Sequence, residues 1–149
     1  LNRVSIIRPG IVIEENFSHV DWRPVEALRV QLSNALWNIV DNALEAMESQ
    51  NGTLSISVNN IDDNSLRILI EDTGPGISDE DLHKIFNFGY STKEGHYGYG
   101  LYQTKRVIEG LGGTITVRSN IGSGTTFAIR LPTSATRHLE VTQNEKIDL

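Results

Sequence analysis

Two short polar motifs stand inside otherwise apolar patterns, and their positions constrain the fold of this chain more than any other feature. The first, Asn-Ile-Val-Asp-Asn-Ala at residues 38–43, lies in a segment whose apolar residues recur at helical spacing. Asn38 and Asn42 are four residues apart, so they project from one face of that helix. The second, Asp-Thr-Gly-Pro-Gly-Ile at residues 72–77, follows an alternating strand pattern at residues 66–71. Polar groups therefore converge where a core would be apolar.

The apolar spacing of the whole chain predicts a two-layer α/β organisation with one domain. The predicted elements, in chain order, are a strand at 11–15, a helix from Asp21 and Pro24 to Asn51-Gly52, a hairpin of strands at 54–58 and 66–70 turning at 62–64, an acidic helix start at 78–81 leading to Leu82, Ile85 and Phe86, a helix from Gly98 to Gly112-Gly113, and closing strands at 114–119 and 125–131 stopped by Pro132. Trp22 and Trp37 are expected in the core or at an interface. Residues 133–149 are polar and weakly patterned, and they read as a tail.

A glycine-rich loop, Gly-His-Tyr-Gly-Tyr-Gly-Leu at residues 95–101, feeds directly into a predicted helix. The free N–H groups and the dipole at such a helix N-terminus favour an anion, so the loop is a candidate phosphate cradle. It lacks the Gly-x4-Gly-Lys-Ser/Thr pattern of a P-loop, and Gly98-x-Gly100 alone is weak evidence for any nucleotide. The order of the motifs along the chain supplies the specificity.

That order resembles the N, first-glycine, F, second-glycine and third-glycine boxes of the catalytic, ATP-binding domain of sensor histidine kinases. The matching stretches are residues 38–43, 72–77, 86–93, 95–101 and 122–127, within a resemblance that covers roughly residues 24–132. The wider GHKL superfamily also includes gyrase-type topoisomerases, clamp chaperones, mismatch-repair ATPases and protein serine kinases. Residues 42–47 and 89–93 are most similar to the nitrogen-regulation, sporulation and dicarboxylate or citrate sensors.

The resemblance implies a Bergerat-type fold of the α/β (α+β) class, a two-layer sandwich whose mixed β-sheet is covered on one face by helices. Residues 1–132 would form the domain, with a leading strand segment within 1–20, and residues 133–149 would follow as the tail. The stretch 88–98 resembles the mobile ATP lid of the family, although it also reads as an ordinary exposed connection.

The amino-acid composition argues against some classes of binding partner. The formal charge of −6 and the lack of a basic run argue against nucleic acid, and no apolar run is long enough to cross a bilayer. The absence of cysteine excludes disulfides and thiol chemistry. The resemblance implies a cytoplasmic domain, with the full-length protein anchored in a membrane in some family members.

Asp72 is the candidate adenine-reading residue. A carboxylate held at a strand end accepts a hydrogen bond from the exocyclic amine of adenine, so it should select ATP over GTP. Gly74 and Gly76 would let the chain approach the purine, and Ile77 could cover the ring. Thr125 matches a family position that helps hold adenine, although a strand threonine is just as natural there.

The phosphate end is assigned by the resemblance. Asn42 matches the family ligand of Mg²⁺, and Asn38 matches its supporting residue, with a half-exposed helix-edge amide as the alternative. Glu45 departs from members that carry a basic residue there, so Lys93 is the candidate cation, or else a solvated surface lysine. The candidate catalytic residues are Asn38 and Lys93, and the predicted ATP contacts are Asn38, Asn42, Asp72, Gly74, Gly76, Ile77, Tyr90, Ser91, Thr92, Lys93, Gly98, Tyr99, Gly100, Leu101 and Thr125.

Asn38 also bears on the reaction. ATP-hydrolysing superfamily members usually carry a glutamate at this position to activate water, and an amide is a poor general base, so hydrolysis should be slow. None of the four histidines is followed by Glu or Asp as in the family acceptor motif. The resemblance therefore implies transfer to a phosphoacceptor helical hairpin of the same full-length homodimer, then to a response regulator, with this fragment a monomer. A clamp-type ATPase domain and a non-catalytic nucleotide-binding module are the alternatives.

Overall fold

The computed structural model describes residues 2–8, 10–17, 20, 29–92 and 97–133. Within them it contains three helices and six strands. These are β1 Asn2–Arg8, β2 Ile11–Asn16, α1 Arg29–Ala46, β3 Gly52–Asp62, β4 Ser65–Asp72, α2 Asp79–Leu82, α3 Gly100–Gly110, β5 Thr114–Asn120 and β6 Gly124–Pro132. The Asp21–Pro24 helix start and Trp22 lie outside the described residues.

The strands form one mixed sheet, as predicted, in the order β1-β2-β3-β4-β6-β5. Neighbours run antiparallel except β2 and β3, which are parallel from Ile11↔Gly52 to Asn16↔Ser57. A parallel pair cannot be joined by a tight turn and needs a crossover connection. Helix α1 lies between these two strands in the chain and belongs to that crossover.

The predicted hairpin at the centre of the sheet is confirmed, and its register sets the core. Ile70 of β4 lies opposite Ile56 of β3 and Phe127 of β6. Because successive strand residues point to opposite faces, the alternating apolar residues fall on one side. The helices cover that side, where Ile39 of α1 and Ile108 of α3 are fully buried.

The same register places two polar residues side by side at one end of the sheet. Asp72, the last residue of β4, pairs directly with Thr125 of β6. Their exposed fractions are only 9% and 6%. This sheet end is therefore buried yet polar, which is where the sequence placed a site rather than a core.

Four details differ from the sequence expectation. Strand β1 pairs with β2 across Gly10, whereas only β2 was predicted at its observed place. Helix α2 is a single turn, and turns rather than helix lead on to Phe86. Trp37 is 59% exposed, so its placement in the core is wrong, and the interface alternative stays a prediction. Thr133, assigned to the tail, is buried and donates its N–H to the carbonyl of Asn64 at 2.8 Å. Residues 134–149 lie outside the described part.

Candidate functional site

A cavity of about 610 Å³ lies between the polar end of the sheet, helices α1 and α2, and the start of α3. It collects most of the residues that the sequence nominated. Those on its wall are Asn38, Asn42, Asp72, Gly76, Ile77, Tyr90, Ser91, Thr92, Gly98, Tyr99, Gly100, Leu101 and Thr125. Lys93 lies outside the described residues, so its role stays a prediction. Gly74 is described but does not line the cavity.

Asp72 is held by backbone donors at the deep end of this cavity. Its carboxylate accepts the N–H of Gly74 at 2.9 Å and a backbone N–H of Thr125. Burial raises the pKa of Asp72 above its ordinary value of 3.8, although both hydrogen bonds pull that pKa downward. Gly74 thus orients the carboxylate, and its approach to a ligand stays a prediction. The result is a fixed acceptor in a dry place.

Gly76 is required by the backbone conformation of its turn, and its close approach to a purine stays a prediction. Its φ is +77°, a left-handed conformation that side chains disfavour. A Cβ at this position would collide with the backbone carbonyl of Asn120. The Gly122 N–H also donates to the Pro75 carbonyl at 2.7 Å. The turn after Asp72 is therefore clamped against the β5–β6 turn.

Ser119 of β5 completes this deep end, and no sequence signal singled it out. Its hydroxyl accepts the Ile77 N–H at 2.8 Å and donates to the Gly124 carbonyl at 2.7 Å. It also lies 3.0 Å from the Thr125 hydroxyl. Ser119 and Ile77 are 42 residues apart, so only the fold brings them together.

Asn38 links α1 to α3 at the other end of the cavity. Its amide nitrogen donates to the Thr104 hydroxyl at 3.1 Å, and Thr104 donates to the Ala35 carbonyl at 3.3 Å. Because Thr104 has one proton and gives it to a carbonyl, it must accept from Asn38, which fixes the orientation of the amide. A Cβ on Gly100 would collide with the Asn38 side chain. The amide oxygen therefore faces the start of α3.

The N-terminus of α3 opens into the cavity. Tyr99, the residue at its N-cap position, makes no side-chain hydrogen bond to it. Uncapped N–H groups and the helix dipole favour an anion. The stretch that precedes α3 leaves and returns at one point, where the Gly89 N–H donates to the Gly98 carbonyl at 3.1 Å. We call this point the neck.

Tyr90, the residue after Gly89 of the neck, is hydrogen-bonded to α2. Its hydroxyl donates to the Asp81 carboxylate at 2.5 Å. This bond lowers the pKa of Asp81 and raises the pKa of Tyr90. The Asp81 N–H in turn donates to Ser78 at 3.2 Å, and Ser78 follows Ile77 directly. One hydrogen-bonded path therefore joins the turn after Asp72 to Tyr90, the residue that follows Gly89 of the neck.

The family model of the histidine kinase-, DNA gyrase B- and HSP90-like ATPases matches residues 27–135. The chain belongs to this family. As a member, it carries the ATP-binding catalytic domain of the sensor-kinase type, with the α+β fold of histidine kinase catalytic domains.

Curated relatives of this ATPase-family domain are sensor kinases. A probable C4-dicarboxylate sensor kinase of Bacillus subtilis is 37% identical over 133 residues, which are 83% of this chain and 23% of that protein. The sensor histidine kinase DcuS of Escherichia coli is 36% identical over 102 residues, 68% of this chain and 19% of its own length. The chain thus spans about a quarter or less of the curated relatives it matches.

Solved structures agree with the fold of this domain. The mycobacterial sensor histidine kinase MprB superposes with a TM-score of 0.72 at 27% identity, covering 85% of this chain and 84% of that one. Full-length ShkA in complex with AMPPNP superposes with a TM-score of 0.73 at 27% identity, covering 83% of this chain and 26% of ShkA. No helix in the described part of this domain is long and apolar enough to cross a membrane.

Proposed function

We propose that this domain binds Mg-ATP and transfers the γ-phosphoryl group to a histidine on a separate helical hairpin. Family membership establishes the ATP-binding part. The observation that favours transfer over hydrolysis is the Asn38–Thr104 hydrogen bond. Where an ATPase would need a carboxylate to take a proton from water, this site holds an amide fixed as a link between two helices.

In this proposal the nucleotide spans the cavity from Asp72 to α3. Adenine lies against Asp72, because that buried acceptor suits the exocyclic amine. The phosphates lie at the start of α3, near Gly98 and Gly100, where close backbone approach is possible. The two ends of the cavity thus match the two chemically different ends of ATP.

Asn42 would hold the metal. It lines the cavity on the same helical face as Asn38, one turn further along α1. No group of three or more His, Cys, Asp or Glu side chains in the described residues could hold a metal ion by itself. An amide oxygen together with phosphate oxygens suits Mg²⁺, which keeps several waters and takes few protein ligands. Mg²⁺ would offset negative charge on the phosphates, and the backbone N–H groups at the start of α3 would orient them.

The lid would complete the site from above. Ser91 and Thr92 line the cavity, and Lys93 follows them in the chain. A lysine ammonium near the γ-phosphate would offset the negative charge of the phosphate, which the carboxylates of Asp72 and Asp81 repel. We therefore retain Lys93 as the proposed catalytic cation, with an effect on transfer larger than its effect on adenine affinity.

The partners follow from the same proposal. An imidazole nitrogen of the acceptor hairpin attacks the γ-phosphorus, the bond to the β–γ bridging oxygen breaks, ADP leaves, and the imidazole proton passes to solvent. The hairpin belongs to the same full-length homodimer, and a response regulator then takes the phosphoryl group. The domain acts in the cytoplasm.

One labelling experiment tests this function. The purified chain, incubated with γ-labelled Mg-ATP, should remain unlabelled and release phosphate slowly. Adding the acceptor hairpin as a separate polypeptide should produce label on the hairpin that is acid-labile and base-stable, as phosphohistidine is. The rate should be limited by weak encounter, since covalent tethering normally supplies the effective concentration.

Three other outcomes would contradict the proposal. Acid-stable label would indicate a serine-kinase activity, and brisk phosphate release by the lone chain would indicate a clamp-type ATPase. Mg-ATP binding without transfer to the hairpin would leave a non-catalytic nucleotide-binding module. An Asn42→Ala chain serves as the control, because it should lose magnesium-dependent ATP binding while it keeps adenosine binding.

A further inference from the structure

Ser119 uses its whole hydrogen-bonding capacity inside the protein. A serine hydroxyl offers one proton and two lone pairs. The carbonyl of Gly124, 2.7 Å away, can only accept, so the proton goes there. The Ile77 N–H, at 2.8 Å, occupies one lone pair. Only one lone pair is left for the third contact, the Thr125 hydroxyl at 3.0 Å.

Thr125 must therefore be the donor in its contact with Ser119. The single proton of the Thr125 hydroxyl points at Ser119, away from the cavity that Thr125 lines. What the hydroxyl can still offer to the cavity is a lone pair. A residue that could act as donor or acceptor is thereby restricted to one role.

Asp72, the strand neighbour of Thr125, is an acceptor as well. The two residues pair directly across β4 and β6 and are both buried. Ionised carboxylate oxygens only accept, so the deep end of the cavity presents two acceptors side by side. A ligand edge that carries N–H groups satisfies both, whereas a carbonyl at the same place would leave buried acceptors unpaired, which is costly.

We propose that Ser119 is a positioning residue for nucleotide specificity. By holding the Thr125 hydroxyl as an acceptor, it strengthens selection of a 6-aminopurine over a 6-oxopurine. The inference rests on the proposed placement of the purine against Asp72. It assigns Ser119 a role in discrimination that is separate from its role in holding the β5–β6 turn.

The test compares ATP with ITP, which carries a carbonyl in place of the adenine amine. Calorimetry gives Kd for both nucleotides with the wild type, Ser119→Ala, Thr125→Val and the double variant. In Ser119→Ala the Thr125 hydroxyl is free to turn its proton toward the cavity. The ratio of Kd for ITP to Kd for ATP should then fall by about tenfold, the effect of one hydrogen bond.

Two controls separate specificity from stability. Ser123→Ala changes an exposed serine in the same β5–β6 turn and should leave the ratio unchanged. Ser119→Thr keeps a hydroxyl and should retain the ratio. In a Thr125→Val background no hydroxyl remains to reorient, so adding Ser119→Ala should not lower the ratio further.

The inference is overturned if Ser119→Ala weakens ATP and ITP equally, because Ser119 would then only support the fold. It is also overturned if Ser119→Ala lowers the ratio as much in the Thr125→Val background as it does when Thr125 is present. Should Ser119→Ala fail to fold, Thr125→Val must lower the ratio and Thr125→Ser must retain it. Failure of the proposed function is distinct: wild type would then not bind ATP, or Asp72→Asn would bind it unchanged.

Discussion

In the proposed function, Asp72 destabilises the protein without nucleotide and contributes to nucleotide binding. Loss of water around its carboxylate outweighs the two backbone N–H groups that stabilise the charge, which is why its pKa is raised. A ligand that brings an N–H donor supplies what the empty site lacks. The same burial that weakens the fold is thus a source of binding energy.

Asp72→Asn should separate these two effects. The amide keeps the shape and can still accept the Gly74 N–H, but it presents donors where the carboxylate presented acceptors. We expect ATP affinity to fall by about 1.5–3 kcal/mol, since a hydrogen bond to a charged group is lost. The empty protein should melt at the same temperature or higher at neutral pH. Calorimetry and thermal melts measure the two effects, with Glu71→Gln on the exposed face of β4 as control.

The stability difference between Asp72→Asn and the wild type should depend on pH. A raised pKa means that the folded state holds its proton to higher pH than the unfolded state, so Asp72 lowers the free energy of unfolding as pH rises through that window. Below the ordinary pKa of 3.8 this unfavourable contribution vanishes. Any stability advantage of Asp72→Asn should therefore narrow as pH falls from neutral toward about 4. An advantage that grew on acidification would show that Asp72 is stabilised in its charged form.

At the scale of elements, the first position of α3, Gly100, should tolerate no side chain. Gly100→Ala places a methyl group against Asn38, so either the helix start or the amide must move. We expect ATP affinity to drop at least tenfold while adenosine affinity stays nearly unchanged, because the disturbed end is the one proposed to hold the phosphates. Gly110→Ala lies in the same helix with open space around it, and it should be neutral or stabilising by up to about 1 kcal/mol. Equal ATP binding by both variants would place the phosphates elsewhere.

The bond between α2 and Tyr90 should affect nucleotide release. Tyr90→Phe keeps the ring but frees the lid from Asp81, so ATP should dissociate several-fold faster while the empty protein melts within a few degrees of wild type. Asp81→Asn should have a similar effect, and the double variant should add little. Tyr102→Phe, in the cluster that Tyr102 forms with Phe88 and Tyr99, is the matched control. Stopped-flow release of a fluorescent ATP analogue would decide, and an unchanged rate would reduce the bond to a surface contact. Because the pKa of Asp81 is lowered from its ordinary value of 3.8, the effect should persist until pH falls below that value.

The sequence predicted the elements where local periodicity sets them. Strict alternation of apolar residues predicted β4 and β6, and apolar residues at helical spacing predicted α1, because one face of each element is buried. Strand β1 was predicted only as a leading strand segment within 1–20, without bounds, although Val4 and Ile6 alternate before Pro9-Gly10, a usable hairpin signal.

The candidate site was predicted less completely. Asp72 and the glycines before α3 stood out because polar and small residues are unusual at such positions. Ser119, Thr104 and the Tyr90–Asp81 bond did not, because their meaning depends on partners far apart in sequence or on which proton goes where. Ordinary serine and threonine residues in regular elements carry no local signal of such a role.

At the scale of the whole molecule, nucleotide and metal should stabilise the fold together. Mg-ATP binds only the folded form, so at a concentration a hundredfold above its Kd it should add about 2.7 kcal/mol to the free energy of unfolding. Removing Mg²⁺ with EDTA should abolish most of that gain, and Mg-GTP should give markedly less. Thermal melts across a ligand series measure this. Asn42→Ala should respond equally to ATP with and without Mg²⁺, and a metal-dependent shift in that variant would assign the metal to another residue.

The neck between Gly89 and Gly98 also has a consequence for how such domains diversify. Because the segment between Gly89 and Gly98 begins and ends at one hydrogen-bonded point, we expect that its length can change without altering the sheet or the end of the cavity beside Asp72. Doubling a flexible loop costs only about 0.6 kcal/mol in closure entropy. Lids exchanged between relatives at these two glycines should therefore yield folded chimaeras that keep their base preference but acquire the donor's nucleotide exchange rate. The neck would then allow the segment proposed as the lid to be exchanged between relatives without change to the rest of the domain.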